Sequence, residues 1–159
     1  MWTWIAVAIV GIAILFVGGT QGGVFDKLLS HKNPTPVDFR ALTLPESPNK
    51  YLIAPAGTTT AKADETAPSF AMPVADLKIK FLAMVAAQPN VEKLWESPDG
   101  LKFQYVQRTP IMRWPDIIDV QLLAQDGGST LALYSRSVYG YSDMGVNKAR
   151  VTAWVAGLK

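Results

Sequence analysis

The sequence predicts an α+β protein: an N-terminal transmembrane helix, then a small domain in which a four-stranded antiparallel sheet carries two flanking helices. Three observations predict it. Residues 2–17 hold no charged side chain. Between residues 91 and 138, apolar positions alternate in runs of strand length, separated by turn-forming clusters. On either side of that region, apolar residues recur at helical spacing.

The N-terminal run can be taken first. A helix rises about 1.5 Å per residue, so about 20 residues cross a hydrocarbon core of about 30 Å. Trp2 and Trp4 sit where interfacial aromatic anchors belong. No basic region precedes the run, which argues for an uncleaved anchor over a cleaved secretory signal. Gly18, Gly19, Gly22 and Gly23 then make a flexible joint. Residues 1–23 are therefore read as a transmembrane anchor. Residues 24–70 hold most of the prolines and few periodic apolar positions, and read as an extended linker or surface segment. Residues 71–159 are left as the α+β domain.

Within that domain, Pro73 suits the first position of a helix carrying Val74, Leu77, Phe81, Met84 and Val85, which ends near Ala87. Val91 to Glu96 forms a strand, and Ser97-Pro98-Asp99-Gly100 a hairpin turn. Leu101, Phe103 and Tyr105 alternate with Lys102 and Gln104 in a second strand. The third strand is Ile117 to Leu123, and Gln125-Asp126-Gly127-Gly128 a second turn. Thr130 to Val138 is the fourth strand, with Ser135 and Ser137 on one face and Tyr134 and Arg136 on the other. A last helix from about Asn147 places Val151, Trp154, Val155 and Leu158 on one stripe. Both helices cover one sheet face, and polar alternate residues cover the other.

Composition excludes several chemistries. Fifteen basic against thirteen acidic residues leave a net charge of +2, with no basic footprint for nucleic acid. The chain has no cysteine and a single histidine, His31, so neither thiolate chemistry nor a histidine triad is available. No metal site and no cofactor is expected.

The polar segment from Tyr134 to Arg150 is the candidate site. Arg136, Ser137, Tyr141, Asp143, Asn147 and Arg150 could hold an anion beside the free N–H groups of the last helix. The same residues could instead form a structural network, with Arg136 or Arg150 bound to Asp143, and Asp143 or Asn147 capping the helix. Gly140-Tyr141-Ser142-Asp143-Met144-Gly145 has the wrong spacing for a nucleophile elbow, so no catalytic residue is assigned. Asp116 and Asp119 read as solvated turn and edge charges, on opposite faces of their strand. Trp95, Trp114 and Trp154 read as core and rim packing.

Phe103 to Pro110, Trp114-Pro115-Asp116-Ile117-Ile118-Asp119-Val120, and the run from Tyr134 to Asn147 resemble the domain of unknown function 1499 family, a bacterial and plastid family. Pro36-Val37-Asp38-Phe39 and Pro48-Asn49 fit some of its members. Relatives carry cysteines near positions 54–59, where this chain has Ala54-Pro55-Ala56-Gly57-Thr58-Thr59. The resemblance implies a domain on the periplasmic side of a bacterial inner membrane. Lys27, Lys32 and Arg40, following the anchor, point to the cytoplasmic side by the positive-inside rule.

The resulting expectation is a single-pass, non-catalytic accessory or interaction protein. Its partners would be the lipid bilayer and a membrane protein, as a subunit or assembly factor of a larger complex. An anion- or lipid-head-group-binding domain is the alternative. A hydrolase using Ser142 or Ser137 with Asp143 is the third.

Overall fold

The sheet is built around its two longest strands. A computed structural model of the chain describes residues 34–159. In chain order the strands are β1 (Lys50–Ala54), β2 (Glu65–Thr66), β3 (Val91–Glu96), β4 (Lys102–Arg108), β5 (Pro115–Gln125) and β6 (Gly128–Ser137). The helices are α1 (Val74–Ala86) and α2 (Val146–Ala156), and a 3-10 turn spans Phe39–Ala41. β3 to β6 form the expected antiparallel meander, with Asp126-Gly127 at the tip of the β5–β6 hairpin.

The expected four-stranded antiparallel sheet is corrected to six strands of mixed sense, ordered β2-β1-β6-β5-β4-β3. β1 pairs antiparallel with β6, and β2 pairs parallel with β1. Both added strands come from the stretch read as a linker. β1 lies between Pro48 and Pro55 and is buried on both faces, so its apolar run shows no alternation to betray it. The expected transmembrane anchor at residues 1–23 falls outside the described residues. Among the described residues no helix is long and apolar enough to cross a membrane.

Alternation then sorts the sheet into two faces. On one, Tyr51, Ile53, Phe103, Tyr105, Ile118, Val120, Leu131 and Leu133 meet Leu77 and Phe81 of α1 and Val151 and Trp154 of α2. Phe81, Tyr105 and Trp154 pack edge to face at centroid distances of 6.1 to 6.2 Å. Gly128 lets Phe70 close this layer by bridging to Ser129. A Cβ on Gly128 would stand 2.0 Å from the Phe70 carbonyl oxygen.

The second face is not left to polar side chains, as alternation alone suggests. Phe39 and Leu42, from the segment before β1, pack on Leu52, Ala54, Ala132 and Tyr134. The chain is therefore layered on both sides of the sheet: two helices on one, an irregular strap on the other.

Candidate functional site

Pro115 begins β5, and from there the side chains alternate: Asp116 turns toward α2 and Asp119 toward the strap. Both are buried, at 4% and 2% exposure. Solvated edge charges are thereby ruled out, and each carboxylate has its own arginine. Arg150 Nη2 donates to Asp116 Oδ2 at 2.5 Å, and Arg136 Nη1 donates to Asp119 Oδ2 at 2.5 Å.

Arg150 is the centre of the helix-side network. Its Nε donates to Gln107 Oε1 at 2.6 Å, and its Nη1 to Ser135 Oγ at 2.9 Å and Asn147 Oδ1 at 2.7 Å. Three sides of the guanidinium fork thus meet protein acceptors. Asn147, one turn earlier on α2, is fully buried and ties the network to the residue before β1 and to the loop preceding α2. Its amide nitrogen donates to the Asn49 carbonyl at 3.1 Å, Ser137 Oγ at 3.1 Å and Asp143 Oδ2 at 2.7 Å. Asn49 returns a bond from its own amide to the Gly140 carbonyl at 2.6 Å.

Asp143 caps α2. Its Oδ2 accepts from the Asn147 backbone N–H at 2.8 Å and its Oδ1 from Gly145 N–H at 3.0 Å. Burial pushes this carboxyl up, but the N–H groups of Asn147 and Gly145 outweigh it and hold it below its ordinary 3.8. The turn leading into the helix is left-handed at Met144 (φ 53°) and Gly145 (φ 83°), which brings both amides onto one carboxylate.

Of the six residues proposed for one anion site, Ser137, Asp143, Asn147 and Arg150 come together. Arg136 does not: it lies on the opposite face, its guanidinium 4.9 Å from the Tyr134 ring centroid. Tyr141 is 76% exposed and stands outside the network. The expected pairing of an arginine with Asp143 is replaced by Arg150 with Asp116 and Arg136 with Asp119. Sequence reasoning missed Asn49, Gln104, Gln107 and Ser135. The alternation of β6 offered a signal for Ser135, which must share a face with Ser137. Nothing local marked Asn49, since its role depends on β1.

Beside this network lies an open cleft of about 250 Å³, walled by Trp114 and Tyr139 and floored by Asp116, Ser137 and Asp143. Ser137 Oγ accepts from Asn147, and Ser142 Oγ from the Met144 N–H at 3.4 Å. Among the described residues there is no histidine to act as base for either hydroxyl, and no cluster of three or more potential metal ligands.

Fold and site together define an α+β domain with a mixed six-stranded sheet, whose polar strand–turn–helix junction is closed largely on itself. The chain belongs to the DUF1499 family, described as proteins of unknown function, whose family model matches residues 40–158. No curated protein matches the chain. No solved structure matches it either.

Proposed function

We propose that this protein is a non-catalytic, membrane-tethered accessory or interaction protein, serving as a subunit or assembly partner of a larger membrane complex. One observation carries the reading. Arg136, Asp143 and Arg150 of the polar segment are each bonded within the domain, to Asp119, to the start of α2 and to Asp116 respectively, while large apolar side chains crowd one end of the sheet. Of ten exposed large hydrophobic residues among those described, eight lie in residues 111–114 and 138–146, among them Ile111, Met112, Trp114, Tyr139, Tyr141 and Met144. The two loops adjoin, with the Trp114 and Tyr139 rings 5.6 Å apart and Val138 N–H bonded to the Pro115 carbonyl. Exposed aromatic and methionine side chains gathered in this way are characteristic of an interaction surface.

The entry of the chain supports the same end as the membrane-proximal one. Val37 N–H bonds Asp119 in the first half of β5, whereas the Arg40 carbonyl accepts from Thr60, beyond the far end of β1. The chain thus runs away from the loop end between these residues. In this reading the uncharged run of residues 2–17 is the tether, in a bacterial inner membrane, and the family resemblance favours the periplasmic side for the domain.

Purification of the full chain from native membranes in mild detergent tests the reading. A co-purifying membrane protein should be lost in a Trp114→Glu, Tyr141→Glu variant that keeps its thermal stability. Recovery of the wild type only as a free monomer would contradict it.

A further inference from the structure

We infer that the cleft between the two loops is a binding site for an organic ammonium group, such as choline, ethanolamine or the head group of a zwitterionic lipid. The inference goes beyond the accessory role and does not depend on a protein partner. It starts from the rings. Trp114 and Tyr139 meet at 58° with centroids 5.6 Å apart, forming two adjoining walls of an open box. Both rings line the cleft and are about 40% exposed. An ammonium over aromatic faces is attracted by the ring quadrupoles, most strongly by tryptophan.

The floor supplies the charge. Asp116 is more than nine-tenths buried, yet it lines the cleft and gives only Oδ2 to Arg150. Its Oδ1 has no hydrogen bond among the described residues. Asp143 lines the same cleft, with its carboxylate held by the amino end of α2. No basic side chain is among the lining residues, and Arg150 lies behind Asp116. Two carboxylates and one guanidinium leave one net negative charge, which a monovalent cation would balance. Ser137 and Thr109 supply hydroxyls for an alcohol or ester oxygen beside the nitrogen. An anion, by contrast, would meet two carboxylates with the arginine already bonded.

The test uses the full chain in non-ionic detergent micelles, probed by saturation-transfer NMR and calorimetry with tetramethylammonium, choline and ethanolamine. A second arm dopes the micelles with phosphatidylcholine or with phosphatidylglycerol. Saturable binding of the soluble amines, or of phosphatidylcholine but not phosphatidylglycerol, supports the site; the arm that saturates identifies the source of the ammonium group. Trp114→Leu should weaken binding about tenfold and Trp114→Phe by less, following the order of ring strength. Tyr139→Leu should weaken it too. Absence of saturation in both arms would overturn the proposal. So would equal binding of choline's neutral carbon isostere, or affinity unchanged in Trp114→Leu and Tyr139→Leu.

Discussion

Asp116 and Asp119 stand three positions apart on β5 and face opposite sides of the sheet, each joined to a different arginine. That separation divides what looks like one polar cluster into two independent pieces. On the helix side, Asp116 and Arg150 fasten α2 to the sheet. On the strap side, Asp119 Oδ1 accepts from Gln104 Nε2 at 2.8 Å and from Val37 N–H at 3.3 Å, fastening the segment before β1. Buried ion pairs contribute little relative to apolar packing, but removing one partner strands a charge. Both pairs therefore act chiefly to fix which chain segment lies where.

Asn147 joins α2, Asn49 just before β1, the β6–α2 loop and Arg150 through a single side chain. Asn147→Ala should lower unfolding free energy by about 2 to 3 kcal/mol, since several buried partners lose a bond at once. Urea denaturation measures it. A loss no larger than that of an ordinary surface substitution would contradict the network.

The depressed pKa of Asp143 makes a pH prediction. A carboxyl whose folded pKa lies below its unfolded value contributes stability that is fully present above the unfolded pKa. That contribution is lost as pH falls through the folded one. The wild type should thus lose stability below its ordinary 3.8. Asp143→Asn should be weaker at neutral pH by about 1 kcal/mol, the scale of a lost helix cap, and flatter in acid. Parallel acid limbs for the two proteins would argue against the cap.

The Tyr105 hydroxyl is buried without a hydrogen-bond partner among the described residues, and burial pushes its pKa above the usual 10.0. Tyr105→Phe removes an unsatisfied group while keeping the ring contacts. It should leave stability unchanged or raise it by about 1 kcal/mol, read by thermal unfolding. Clear destabilisation would mean that the hydroxyl has a partner in solution.

Leu52 is fully buried under the strap, against Phe39 and Leu42. Leu52→Ala should cost about 2 to 5 kcal/mol in chemical denaturation, as expected for a core leucine. A cost below about 1 kcal/mol would return this stretch to the status of a loose linker.

The legible part of the fold is the part with a period. Helix α1, the strand Val91–Glu96, the two hairpin turns and α2 all follow from spacing and turn chemistry in residues 73–159. β1 was illegible because Tyr51-Leu52-Ile53-Ala54 is buried on both faces and flanked by prolines, which together imitate a linker. The second core was missed for the same reason, since Phe39 and Leu42 sit in an irregular strap with no periodicity. In the site, residue types were readable and partners were not. Arg136 and Ser137 are neighbours in sequence, yet period-two alternation sends them to opposite faces. Only the register with β5 reveals which carboxylate each arginine meets.

Double-mutant cycles test the central claim, that the two arginines of the polar segment belong to two separate ion pairs with β5. With Asp116→Asn and Arg150→Met, and likewise Asp119→Asn and Arg136→Met, unfolding free energies should show coupling of about 1 to 3 kcal/mol within each pair. The crossed cycles, Asp116 with Arg136 and Asp119 with Arg150, should be additive within about 0.5 kcal/mol. Strong coupling in either crossed cycle, or none within the pairs, would contradict the account.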